Sequence, residues 1–410
     1  MSLFQDANII MQAALHAALP DTAVEKALKE LPRYSGKLVL IAAGKAAWQM
    51  AHAAYAQLGA KIDSGVVITK HGHAMGPIGP LDIREAGHPV PDEDSYTATA
   101  AAIQAVSGLR SDDLVLFLLS GGGSALFEKP LLPPEELADI TKQLLACGAD
   151  ITEINTLRKR FSAVKGGKFA QLCAPAHVFS IVLSDILGDP LDMIASGPAY
   201  PDSTTSEQAQ AIAKKYDLHL SDLARDLLTR ETPKDLPNAE SRITGSVRQL
   251  CAAASESAQA LGYKPVVLTA SLCCEARDAG SFLASIAQYH ADTKESLAFI
   301  AGGETVVHLT GHGKGGRNQE LALAAARGID GLRDTLVFSL GSDGTDGPTD
   351  AAGGWVDGTS LRRLAEKGYD LDAVLQDNDA YHALSAVDGL ILTGPTGTNV
   401  NDLSVLLIRR

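Results

Sequence analysis

The chain has 410 residues, 46% of them apolar and 20% charged, values of a globular protein with material for two domains and not of a disordered or fibrous one. Its 35 Lys and Arg against 49 Asp and Glu leave a net charge of −14, which disfavours nucleic-acid and anionic-membrane partners unless basic residues cluster locally. No apolar run approaches the ~18–20 residues that span a bilayer. Five cysteines with no C-x-x-C spacing argue against structural zinc and a disulfide framework. The N-terminus lacks a basic segment and reads as an amphipathic helix, not a signal peptide, so the expected location is the reducing cytoplasm.

Lys37 to Ala43 predicts a buried strand, followed by a helix from about Ala46 to Leu58 that Gly59 caps. Val66 to Thr69 and Leu114 to Leu119 are further strands, the latter running into Ser120-Gly121-Gly122-Gly123-Ser124 and then a helix. Val178 to Leu183 is a fourth strand, ending at Ser184-Asp185. Around Thr232 to Asn238 the chain turns polar and carries two prolines, which sets the expected domains at 1–235 and 240–410. Beyond it, Pro265 to Thr269, Leu297 to Ile300, Thr305 to Leu309, Thr335 to Leu340, Leu390 to Leu392 and Ser404 to Ile408 read as strands. Helices fit Glu275 to Tyr289, Asn318 to Arg327 and Asp379 to Leu384. Strands alternating with Ala-rich helices are the pattern of a parallel α/β sheet, whose ligands sit at the carboxyl ends of the strands.

The residues just past those strand ends therefore carry the chemistry. Ser120, Gly121, Gly122, Gly123 and Ser124 let backbone N–H groups converge on an anion with help from the helix dipole, although the G-K-[ST] ending of a Walker loop is missing. A tight structural turn is the competing reading. Lys45, directly after the first strand, can neutralise a phosphate or carboxylate, or lie as a surface lysine. Asn155 to Lys168 holds Arg158, Lys159, Arg160, Lys165 and Lys168 with no acidic residue, which reads either as a local anion site or as a solvated helix face. Asp185 and Asp189 follow the fourth strand, where carboxylates hold Mg²⁺ beside a nucleotide, orient a hydroxyl, or simply make turns. The loops Gly341 to Asp350 and Gly394 to Asp402 are open to the same two readings. Gly311 to Gly316 matches G-x-G-x-x-G before a helix headed by Arg317, a guanidinium able to grip an anion through two parallel bonds.

Several long motifs occur in order along the chain: Ala43-Gly44-Lys45-Ala46, His88-Pro89-Val90-Pro91-Asp92, Ser120 to Ala125, Lys165-Gly166-Gly167-Lys168, and Ser184-Asp185 with Gly188-Asp189. Ser196-Gly197-Pro198, Gly315 to Glu320, Gly341 to Gly347 and Gly394 to Asn399 complete them. In this the chain resembles the glycerate 2-kinase family whose C-terminal half is the MOFRL domain. The resemblance implies an α/β fold with a Rossmann-like parallel-sheet N-terminal domain and a smaller α/β C-terminal domain, with the site in the cleft between them. It implies phosphorylation of the 2-hydroxyl of D-glycerate with ATP and Mg²⁺, and Lys45 and Arg317 match the family's catalytic basic pair. The glycine loop would then cradle phosphates; apart from the resemblance, the position of the carboxylates past the fourth strand assigns Asp189, in preference to Asp185, to hold the metal or take the hydroxyl proton. The expected partner is the small-molecule substrate, without nucleic acid or membrane; a homodimer is left open. Two other readings compete: an NAD(P)H-dependent hydroxypyruvate reductase, for which Gly311 to Gly316 is the handle, and a non-catalytic sensor on the same fold.

Overall fold

The computed structural model describes residues 2–184, 186 and 188–410. They fall into two compact units, one formed by Ala23–Ser184 with Asp189–Thr244, the other by residues 2–22, residues 186 and 188, and Gly245–Arg410.

The first unit is built on six strands: β1 (Leu38–Ala43), β2 (Ser64–Lys70), β3 (Leu81–Ala86), β4 (Leu114–Leu119), β5 (His177–Leu183) and β6 (Ala239–Thr244). They pair parallel in the order β3-β2-β1-β4-β5-β6. The order reverses direction between β1 and β4, and that switch point is where a doubly wound sheet opens a crevice at its carboxyl edge. Every residue of β1 and β4 is buried, as expected of central strands covered by helices on both faces. On one face Leu38, Leu40, Ala42, Leu116 and Leu118 pack against Met50, Ala51 and Ala54 of the helix Ala47–Leu58. On the other, Phe117 meets Phe127 and Phe169 with ring centroids 5.6 and 4.9 Å apart.

Strands β3 and β6 were absent from the sequence reading, and both are edges. Their residues are largely half-exposed and charged (Asp82, Arg84, Glu85; Glu240, Arg242), so they lack the apolar run of a central strand. Because β6 completes the first sheet, the chain leaves that unit at Thr244, past the polar stretch taken as the boundary.

The second unit carries β7 (Lys264–Leu272), β8 (Leu297–Gly303), β9 (Thr335–Gly341), β10 (Gly353–Asp357), β11 (Leu390–Ile391) and β12 (Asp402–Ile408), in the order β11-β10-β9-β12-β8-β7. Only β7 and β8 pair in parallel among the described residues; the other neighbours are antiparallel, so this sheet is mixed where alternation alone suggested a parallel one. Thr305 to Leu309 forms no strand; an isolated bridge at Val306 is what exists there. The N-terminal helix Leu3–Ala17, expected in the first domain, belongs to this unit. Ser2 caps it in a capping box with Gln5, and Ala7, Ile10, Met11 and Ala14 pack with Leu250, Cys251 and Ala254 of the helix Val247–Ala260. Tyr263 donates to Asp6 at 2.7 Å and locks the same helix in place. Among the described residues no helix is long and apolar enough to cross a membrane, and all five cysteines are free.

Candidate active site

The carboxyl ends of β1 and β4 meet at the switch point and are held together by backbone bonds. Lys45 N donates to Gly121 O at 2.9 Å, and Ala46 N donates to Ser120 Oγ at 3.1 Å. Ser120 is buried, so its hydroxyl serves the turn instead of facing a ligand. Gly44 is obligatory, with φ +130° and a position where a Cβ would fall 2.1 Å from Ser120 Oγ.

The amides of Gly121, Gly122 and Ser124 find no acceptor among the described residues. Three N–H groups on one turn make a concave donor surface for an anion. The helix that follows, Gly123–Leu126, is a single turn. The expected dipole is therefore slight, and the loop amides carry the attraction. Gly122 sits at φ +85°, and a Cβ there would approach His88 Cδ2 to 3.0 Å and Lys45 Cγ to 3.1 Å. Lys45 is half-buried with no ion-pair partner among the described residues. The His88 imidazole is pushed below its ordinary pKa by burial and then by the neighbouring charges of Lys45, Lys70 and His73, so it is neutral at pH 7 inside a positive field. Sequence reasoning gave His88 no role. Its signal was only membership of the His88-to-Asp92 motif, since the fold alone brings the end of β3 to the glycine loop.

The basic run Asn155 to Lys168 resolves differently for each cation. Lys159 and Arg160 are fully buried and bind Asp202 at 2.9 and 3.0 Å; Arg160 also donates to Thr232 Oγ1 and Thr204 O. Lys168 donates to the carbonyls of Lys159, Arg160 and Ser162 and closes the end of the helix Ile151–Phe161, its ammonium lowered by burial to about 8. Lys165 reaches the glycine loop, donating to Ser124 O and Phe127 O at 2.9 Å, and pairs with Glu128 at 3.3 Å. These four thus form neither a shared anion site nor a solvated helix face, since their charges are met inside the protein. Among the described residues, Arg158 alone of the five has no such partner.

Asp189 lies after β5, half-buried, with its backbone in the left-handed region at φ +55°. Asp185 is outside the described residues. One trio of metal-capable side chains comes together among the described residues, His71 with Asp92 and Asp94, and it does not include Asp189. Asp92 in that trio is occupied as the cap of the helix Glu93–Ala105 and as acceptor for Gly87 N.

In the second unit Arg317 heads the helix Arg317–Gly328, as expected. It is bound on two points by Asp402, Nε to Oδ2 at 2.6 Å and Nη2 to Oδ1 at 3.0 Å, and Nη1 meets Glu304 at 3.0 Å. Asp346 is buried behind it and accepts the first helical amides, Asn318 N and Gln319 N, at 3.2 and 2.9 Å. Burial, helped by the nearby Asp402, raises the Asp346 carboxyl to about 6. Asp343 closes a turn onto Thr345 N, and Asp350 accepts from Tyr381, so the three aspartates of Gly341 to Asp350 have structural tasks.

The segment Gly311 to Gly316 does not make a dinucleotide cradle. Gly311 N, His312 N, Gly313 N and Lys314 N donate to Asn378, Asp377, Asp377 and Asp379 respectively, so the amides a pyrophosphate needs are consumed. A Cβ on Gly311 would lie 2.3 Å from the Asp377 backbone, which makes the glycine a packing requirement.

Comparison with known proteins gives the same outline. Residues 6–229 match the model of a domain of unknown function, DUF4147, and residues 297–402 match the MOFRL family. A D-glycerate 2-kinase of Thermotoga maritima is 50% identical over 97% of this chain and 97% of its own. A crystal structure of glycerate kinase from the same organism superposes with a TM-score of 0.95, at 50% identity, over 98% of this chain and 99% of that one. An Agrobacterium vitis protein provisionally named a hydroxypyruvate reductase is 42% identical over 91% of this chain and all of its own.

Proposed function

The chain belongs to the glycerate 2-kinase family in which a DUF4147 region precedes a MOFRL region, and we propose that its activity is transfer of the γ-phosphoryl group of ATP to the 2-hydroxyl of D-glycerate, giving 2-phosphoglycerate and ADP. The observation that carries this reading beyond family membership is the glycine loop at the β1–β4 switch point, with three amides beside Lys45 that find no acceptor among the described residues. Phosphoryl transfer depends on positioning and charge neutralisation more than on covalent help. The loop amides and the Lys45 ammonium supply fixed positive ends for phosphate oxygens, and the Lys45 charge adds to burial in lowering the His88 pKa. Arg317, oriented by Asp402, is the second basic group of the proposed machinery.

A nucleotide phosphate carries Mg²⁺ most often through one or two protein carboxylates plus phosphates and water. The half-buried Asp189 beyond β5 fits that donor set as a single carboxylate. Bound there, the ion would neutralise phosphate oxygens. An enzyme consuming ATP and a small hydroxy acid, with free cysteines throughout, suits the cytoplasm.

The test is direct. Purified protein with ATP, Mg²⁺ and D-glycerate is followed by ³¹P and ¹³C NMR, and phosphate is expected on carbon 2. NADH oxidation with hydroxypyruvate faster than ATP-dependent turnover would replace the kinase by a reductase.

A further inference from the structure

Arg158 is the anomaly of the first unit. It is half-buried, and burial pulls its guanidinium below the ordinary pKa. Yet it makes no hydrogen bond or ion pair among the described residues, while every other cation of its helix is satisfied. A desolvated guanidinium without a partner is costly, so such a group is kept where a ligand completes it.

Its surroundings define the ligand. Asn155 lies three positions earlier on the same helical face. The Asn155 Oδ1 accepts from Ser196 Oγ at 2.9 Å, and Ser196 Oγ lies 3.4 Å from Ser124 Oγ, the last residue of the glycine loop. That face of the helix Ile151–Phe161 is therefore a wall of the same crevice, reached past the Ser124 end of the loop. Glu128 is the nearby acid acting on Arg158, but its charge is already met by Lys165 at 3.3 Å. With Glu128 taken by Lys165, Arg158 is left without a counter-charge of its own among the described residues.

We propose that Arg158 is the anchor for the carboxylate of the acceptor substrate, with the half-buried Ser124 placed to hydrogen-bond a hydroxyl and the buried Ser196 and Asn155 linking Ser124 to the Arg158 helix. A guanidinium fork matches a planar carboxylate on two points. A small hydroxy acid carries a carboxylate beside a hydroxyl, which is the pair of groups Arg158 and Ser124 can satisfy. The nucleotide phosphates are assigned to the opposite end of the loop, at Gly121, Gly122 and Lys45. This inference rests on the glycerate kinase reading.

Arg158→Gln and Arg158→Lys are compared with the wild type in steady-state assays, with D-glycerate and ATP varied separately. Glyceramide serves as the uncharged acceptor. For Arg158→Gln, KM for D-glycerate is expected to rise by about one to two orders of magnitude, the worth of a charge-assisted hydrogen-bond pair. KM for ATP should hold, kcat should fall far less than kcat/KM, and the preference for glycerate over glyceramide should collapse. Arg158→Lys keeps the charge but loses the fork, so it should show a smaller rise confined to D-glycerate, and it carries the test if the Gln variant does not fold. A rise in KM for ATP alone would move Arg158 to the nucleotide phosphates and overturn the proposal. An unchanged KM for glycerate in a folded variant would overturn it as well. Wild-type turnover separates the two readings: no phosphorylation of glycerate by the wild type refutes the kinase assignment itself, whereas normal wild-type turnover with unaltered variants refutes Arg158 alone.

Discussion

Arg317 and Asp402 meet through two parallel hydrogen bonds, 2.6 and 3.0 Å long, at the head of the helix Arg317–Gly328. Burial by itself would lower the guanidinium pKa, but the Asp402 carboxylate holds it above its ordinary value, so the charge is permanent. The fork leaves the arginine one orientation. Arg317→Met is expected to lower kcat by about two to four orders of magnitude, in line with other phosphoryl-stabilising arginines. Arg317→Lys should stay impaired, since an ammonium cannot span both Asp402 oxygens. Steady-state kinetics decide it, and a rise in KM with kcat intact would reduce Arg317 to a ground-state binder.

Lys45 presents a simpler case, because no carboxylate among the described residues neutralises it. Lys45→Met should reduce kcat/KM for ATP by at least about 10²-fold, the scale of losing one oxyanion donor. The melting temperature should stay near that of the wild type, as a half-buried lysine without an ion pair contributes little to the core. A large drop in melting temperature would instead mark Lys45 as structural.

Gly122 tests the loop. Its φ of +85° and the 3.0 and 3.1 Å approaches to His88 and Lys45 leave no relaxed place for a side chain. Gly122→Val should weaken nucleotide binding by more than about tenfold, because its side chain occupies the surface the phosphates approach. Calorimetry with ADP reads this directly, and unchanged affinity would return the loop to a structural turn.

Asp202 holds two buried cations at once. Asp202→Ala leaves the buried Lys159 and Arg160 with only the more distant carboxylates of Asp192 and Glu231, at 3.5 and 3.6 Å, and should cost about 3–5 kcal/mol in denaturant unfolding. A loss below about 1 kcal/mol would show that water enters and solvates the pair.

Asp346 gives a pH signature. Its folded carboxyl titrates near 6 against an ordinary 3.8, raised first by burial. Between those values the folded state keeps a proton that the unfolded chain has released, so this group's contribution to stability falls as pH rises through the window and stays low above it. Asp346→Asn retains an oxygen for Asn318 N and Gln319 N but cannot titrate. The difference in melting temperature, variant minus wild type, should grow from pH 4 to pH 6 and then level off. A flat difference would place the Asp346 titration elsewhere.

Much of the fold was legible because local patterns suffice for it. Leu114 to Leu119 is a run with no polar residue, and it is a strand over those same residues. The helix Ala47–Leu58 ends at Gly59 in the positive-φ region, as its sequence indicated. The edge strands β3 and β6 escaped because an edge has to carry charge to avoid pairing with other chains, and charge conceals the strand period. Of the candidate site, Gly121, Gly122 and Lys45 were found from their position after buried strands. His88 and the isolation of Arg158 were not, because each depends on what other segments bring beside it.

The sequence by itself determined the central strands, the turns that require glycine and the family to which the chain belongs, all of which rest on residues adjacent in the chain. Tertiary structure decided where each charge is spent. Lys159 and Arg160 find Asp202 more than 40 positions away, the glycines of Gly311 to Gly316 are fixed by Asp377 and its neighbours, and the N-terminal helix packs on the helix Val247–Ala260. The physical reason is the range of the interactions. Helix and strand periods are set within a few residues, whereas a buried ion must be matched by whichever group folding places at 3 Å, and nothing in the local pattern names that group.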